Sequence, residues 1–93
     1  MKQIKITKTI HCKEYQELIS LIKRKRKELG ISQRELAAKL NVSHSYIAKI
    51  ELRERRVDII EIIKIFIALE CNPCTIITDI YLKLKKKNDF KLF

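Results

Sequence analysis

Between Ser32 and Glu51 two helix starts stand so close together that only two short helices and a tight turn can occupy the space. Ser32 followed by Glu35 is a capping box: the hydroxyl accepts from the first helical turn, and the carboxylate reaches back to the cap N–H. Leu36, Ala37 and Leu40 give this helix one apolar face, and the pattern ends it at Leu40. Asn41 takes the turn, since asparagine is among the few residues besides glycine that tolerate a left-handed backbone. Ser43 then caps a second helix over roughly 43 to 52, with Ile47 and Ile50 facing the first. Ala37 supplies the small side chain needed where two helices cross at roughly 90 to 120°.

His44, Ser45, Tyr46, Ala48 and Lys49 are left facing outward on the second helix. These are small or hydrogen-bonding groups, not a uniform charged stripe, and they suit contact with base edges. Tyr46 fits a partly buried spacer better than a reader, because a phenol also packs over helix edges. The pair reads as a helix-turn-helix, a unit that places its second helix in DNA. A net charge of +10, from 21 basic and 11 acidic residues, favours a polyanionic partner, nucleic acid or an anionic membrane surface. Charge alone does not choose between them, and Lys- and Ile-rich usage is also what an AT-rich genome produces. With 93 residues, 46% apolar content, one Gly and one Pro, the expected fold class is all-α and single-domain.

Along the chain, residues 1–14 alternate weakly around Ile4 and Ile6, which suits an N-terminal arm or short strand. From Tyr15 the period becomes helical: Tyr15, Leu18, Ile19, Ile22, Arg26 and Leu29 share a face that Gly30 ends. Within the run Lys23 to Lys27, Arg26 is expected inward and the other four outward. Arg53 to Arg56 is a basic loop. Asp58 and Glu61 form a second capping box for a helix from Ile59 to Leu69, with Ile62, Ile63, Phe66 and Leu69 toward the core. Asn72 as cap and Pro73 as first residue open a fifth helix through Ile76, Ile77, Ile80 and Tyr81, ending near Leu84. The domain is thus drawn at 15–82, with a basic and aromatic tail over 83–93.

With these elements in place, Tyr15 to Ile80 resembles the lambda-repressor-like, Cro-type (XRE) helix-turn-helix family. The resemblance is carried by Leu29-Gly30-Ile31, Ser32-Gln33, Leu36-Ala37, Val42-Ser43, Tyr46-Ile47, Ile50-Glu51 and the helix from Asp58 to Leu69. It implies a five-helix domain that binds a palindromic operator as a homodimer and regulates transcription, most often as a repressor. Residue by residue, it implies phosphate contacts for Gln33, Ser43, Arg55 and Arg56, and base contacts for His44, Ser45 and Lys49. It further implies an Arg26–Glu51 ion pair, and a dimer contact through Pro73, Ile76 and Ile77. Arg53 departs from the family, whose loop commonly has glycine there; because positive φ is costly for arginine, the loop is expected to differ locally and to weaken the Arg55 assignment.

The longest apolar stretch, Val57 to Leu69, is short and carries Asp58, Glu61 and Lys64, so neither a membrane span nor a signal peptide is expected. Cys12, Cys71 and Cys74 then read as reduced thiols in a cytoplasmic protein. Cys71-Asn-Pro-Cys74 with His11-Cys12 has zinc-ligand spacing as a rival, against small cysteines flanking a helix start. No cofactor is expected. A single glycine excludes a Gly-rich phosphate loop, and His11 and His44 show no catalytic spacing, so an enzyme is not expected. An antitoxin-type module, which holds a protein partner as well as DNA, is the alternative function; the tails are its expected surface.

Overall fold

The computed structural model describes residues 12–89, and these form five helices and no strand. They are α1 (Lys13–Glu28), α2 (Gln33–Leu40), α3 (His44–Glu51), α4 (Ile59–Ala68) and α5 (Cys74–Lys86). The arm through Ile4 and Ile6, His11, and the tail residues Phe90 and Phe93 lie outside the described residues.

Each helix starts where a polar side chain can take up its free N–H groups. Both capping boxes form: Ser32 with Glu35 for α2, and Asp58 with Glu61 for α4. Ser43 Oγ accepts from Tyr46 N–H at 3.2 Å to start α3. The thiol of Cys12 does the same for α1, accepting from Tyr15 N–H at 3.4 Å. At α5 the expected cap shifts by one residue: Pro73, with helical angles (−80°, −4°), is itself the cap and Cys74 the first helical residue, while Asn72 Oδ1 still accepts from Cys74 N–H at 2.9 Å.

Five left-handed residues close the five helices. Gly30 (φ 77°), Asn41 (57°), Arg53 (61°), Glu70 (56°) and Asn88 (59°) each follow a helix end. In every case two backbone bonds fold the chain back; after α3 they are Arg53 N–H to Ile50 C=O at 3.0 Å and Glu54 N–H to Lys49 C=O at 2.8 Å. The expectation that Arg53 would distort its loop is therefore corrected. Two good hydrogen bonds outweigh its backbone strain, and the loop keeps the reversal a glycine would give.

α3 packs against α2 and α1, and α2 against α4. Phe66, Ile22, Leu36, Ile47, Ile50 and Ile65 are the most deeply buried side chains, with Ala37 beside them at the helix crossing. Two expected core positions are corrected. Ile63 is 39% exposed while Ile65 is buried, because the inward stripe of α4 runs 62, 65, 66, 69 and nearly every residue of that helix is apolar. Leu29 is 36% exposed because it sits at the C-cap of α1, where the chain leaves the helical face. Both ends of the bundle run further than the sequence pattern suggests: α1 begins at Lys13 and α5 continues past Leu84 to Lys86. Ion pairs join the two helices near these ends, Lys83 to Glu17 at 3.0 Å and Lys87 to the buried Glu14 at 2.8 Å.

A left-handed non-glycine residue costs roughly 1–2 kcal/mol in backbone strain, partly offset by the larger unfolded-state entropy of glycine. Glu70 has little to lose: its carboxylate is solvent-exposed and reaches Lys39 only at 4.0 Å. Glu70→Gly is expected to stabilise the fold by about 0.5–1 kcal/mol, read as a higher urea midpoint at unchanged slope. A lower midpoint would contradict the strain assigned to this position.

Candidate nucleic-acid interface

The start of α3 stands beside the start of α2, and a chain of hydrogen bonds holds the two together. Arg26, from the last turn of α1, is buried and grips Glu51 at the end of α3 side-on, Nε to Oε2 at 2.7 Å and Nη2 to Oε1 at 3.1 Å. Its remaining Nη1 donates to the carbonyl of Ile31 at 2.9 Å, just after the Gly30 turn. Glu51 Oε1 also accepts from Gln33 Nε2 at 2.8 Å, and Gln33 Oε1 meets His44 Nε2 at 3.0 Å. One network thus fixes the first residues of α2 and α3 relative to α1.

Burial pushes the Glu51 carboxyl up, but hydrogen bonds from Arg26 and Gln33, with the charges of Arg26 and Lys23, pull it down harder. It titrates below the ordinary carboxylate range. With side-chain exposures of 9% and 3%, Arg26 and Glu51 form a pair whose desolvation is repaid only by complete hydrogen bonding.

A second cluster ties the outer side of α3 to α4. Tyr46 Oη donates to Glu61 Oε2 at 2.5 Å, the Arg55 guanidinium lies 4.5 Å from the Tyr46 ring centre, and Arg55 Nη2 reaches Glu61 at 3.2 Å. Burial and the Glu61 hydrogen bond raise the Tyr46 phenol, and the Tyr46 bond leads the interactions that lower Glu61. Tyr46 is accordingly a half-buried spacer.

Ser45 and Lys49 stand exposed on α3, with Ser43 exposed at its cap and His44 half-buried between them. Arg56 is exposed and has no ion pair among the described residues, whereas Arg55 is already engaged. Gln33 is engaged as well, its NH2 bonded to Glu51 and its carbonyl to His44. The structure therefore gathers Gln33, Ser43, His44 and Ser45 around the two helix starts, with Lys49 in the last turn of α3 and Arg55 and Arg56 on the following loop. Pro73, Ile76 and Ile77 open α5 and belong to a different part of the fold; Ile76 packs partly on the core, and Ile77 is 40% exposed. Sequence reading missed Glu61 as a partner of Tyr46 and Arg55, because its capping role accounted for it and nothing local announces the other two contacts. It also missed how Gln33 joins His44 to Glu51. Among the described residues no group of three or more His, Cys, Asp and Glu side chains is placed to hold a metal, and no helix is long and apolar enough to cross a membrane.

A carboxyl depressed in the folded chain contributes stability above its unfolded pKa, and that contribution disappears as pH falls through the folded value. Glu51→Gln leaves Arg26 buried without a counter-charge, so an unfolding free energy lower by about 3–5 kcal/mol is expected at neutral pH. The loss of stability on acidification below the ordinary carboxylate range should also be shallower in this variant. Urea titrations across that range check both; an acid limb as steep as in the parent chain would remove Glu51 from the account.

A helix-turn-helix family profile, HTH_3, matches residues 22–76, from within α1 to the start of α5. No curated protein sequence matches the chain. Among solved structures, an XRE-family like protein from Pseudomonas syringae pv. tomato str. DC3000 is similar at 36% identity and a TM-score of 0.73, covering 83% of this chain and 94% of that one.

Proposed function

The chain belongs to the XRE-type helix-turn-helix family, a family of DNA-binding regulators, and on that premise we propose that it is a sequence-specific transcriptional repressor acting as a homodimer on a palindromic operator. Its main support is the exposed face of α3, held by part-buried hydrogen bonds at Glu51 and His44 and followed by Arg56, which has no ion pair among the described residues. On this reading His44, Ser45 and Lys49 meet base edges, while Gln33, Ser43, Arg55 and Arg56 meet phosphates. Gln33 does so through its backbone N–H at the start of α2, since its side chain is taken. Arg56 contributes more than Arg55, which must first give up Glu61 and Tyr46. Lysine at position 49 favours guanine O6 and N7. On this reading the protein acts in the cytoplasm as a regulator and not as a catalyst.

Operator selection from random duplexes tests these roles. Lys49→Ala should relax one base position by about 1–3 kcal/mol, whereas Arg56→Ala should weaken all sequences alike and reduce the salt slope by about 1. Equal responses in the two variants would sink the division of labour.

Two copies are needed because one small domain covers few base pairs; half-sites then lie roughly 34 to 36 Å apart. The proposed contact is the start of α5, Pro73, Ile76 and Ile77, extended by Tyr81 one turn on, which is 57% exposed. One observation favours a second reading, the antitoxin-type module. Ile59, Ile60, Ile63 and Ile67 stand 58%, 56%, 39% and 70% exposed along α4, a stripe wide enough for a protein partner. Light scattering separates the two surfaces. Ile77→Lys is expected to give a monomer and Ile63→Lys to leave the dimer intact; the reverse would move the self-contact to α4.

A further inference from the structure

Four side chains on three helices form a hydrogen-bond chain in which each link dictates the direction of the next. Arg26 can only donate, and it gives two N–H groups to Glu51 at 2.7 and 3.1 Å. Glu51, ionised, can only accept. The Gln33 group facing it at 2.8 Å must therefore be the NH2, which turns the Gln33 carbonyl toward His44 Nε2 at 3.0 Å. A carbonyl oxygen only accepts, so Nε2 must carry the ring proton, and in the neutral imidazole Nδ1 keeps a lone pair. Nδ1 has no hydrogen bond among the described residues and is not one of their buried unpartnered atoms, so it opens to solvent at the first residue of α3.

We infer that the Arg26–Glu51 pair, acting through Gln33, locks His44 into its Nε2–H tautomer, so that α3 presents an acceptor and selects a base carrying an exocyclic amino group. In the major groove those are adenine, through N6, and cytosine, through N4. Guanine O6 and N7, thymine O4 and phosphate oxygens all set lone pair against lone pair at Nδ1, so the lock takes His44 out of phosphate contact. Arg26, Glu51 and Gln33 are positioning residues in this scheme, and His44 is the reader. The inference rests on the DNA-binding reading above, but the tautomer exists in the free protein and is measured without DNA.

The first measurement is therefore a nitrogen-15 correlation spectrum of the histidine rings in mildly alkaline buffer, with His44→Ala assigning the signals against His11. Nδ1 of His44 is expected at the shift of an unprotonated ring nitrogen and Nε2 at that of a protonated one. In Gln33→Met, which keeps the volume without the polar groups, both should move toward each other as the second tautomer becomes populated. A protonated Nδ1 in the parent chain, or no change in Gln33→Met, overturns the lock.

The second is duplex selection by the parent chain and by His44→Ala, whose helical content by circular dichroism is checked first. One base-pair position should show a preference that falls on the order of tenfold in the variant. A base analogue lacking the amino group should reproduce that loss on the parent and add nothing on the variant. A preference that the parent chain keeps in full on the analogue duplex overturns the inference. So does a specific site whose preferences His44→Ala leaves untouched, although DNA binding itself then stands. Failure of the parent to select any sequence overturns the DNA-binding reading and the inference together.

Discussion

The buried Arg26–Glu51 pair is the constraint from which the rest of the molecule takes its geometry. Each ion costs several kcal/mol to bring out of water, and only complete hydrogen bonding repays it. Here the repayment is close to complete, because Arg26 commits Nε, Nη1 and Nη2, and both oxygens of Glu51 are used. An apolar pair of the same volume would fill the space at less cost. It would not, however, hold the carbonyl of Ile31 at the turn into α2 or orient the amide of Gln33. The pair thus couples the end of α1 to the starts of both helices of the motif, and directionality, more than net stability, is what it supplies.

The second constraint is chain reversal with almost no glycine. Five helix ends each need a left-handed residue, and only Gly30 meets that need without strain. Asn41 and Asn88 are tolerable substitutes; Arg53 and Glu70 are not, yet the same backbone bonds form after α3 and α4. A small core led by Phe66 and Ile22 must therefore carry backbone strain in two of its loops.

What was legible in the sequence is what depends on residues within about one helical turn of each other. Both capping boxes, the Asn41 turn, the Ser43 cap, and Arg26 as the inward residue of a basic run belong here. What was not legible depends on partners far apart in sequence or on ambiguous periodicity. α4 is so uniformly apolar that no pattern distinguishes Ile63 from Ile65, and only packing against α2 chooses. Gln33 resembles a surface phosphate contact until the structure shows it between His44 and Glu51, eleven and eighteen positions away. The engagement of Arg55 was hidden because nothing near it in the sequence points to Tyr46 or Glu61. The ion pairs that extend α1 and α5 span more than sixty positions, so the pattern ended both helices too soon.

These same internal contacts sort the positive charge. Of the six arginines, Arg24, Arg26 and Arg55 have carboxylate partners within the described residues, and Arg34, Arg53 and Arg56 have none. The three without partners all lie in α2 or in the loop after α3. An arginine already paired must lose that partner before it can grip a phosphate, whereas an unpaired one exchanges only water and counterions. Arginine is also the cation whose planar fork matches phosphate in two bonds at once. The net charge of +10 gives the chain a general attraction for polyanions. The unpaired arginines thus fall on the helix before α3 and on the loop after it, and these are the arginines that can meet a polyanion without first breaking an ion pair.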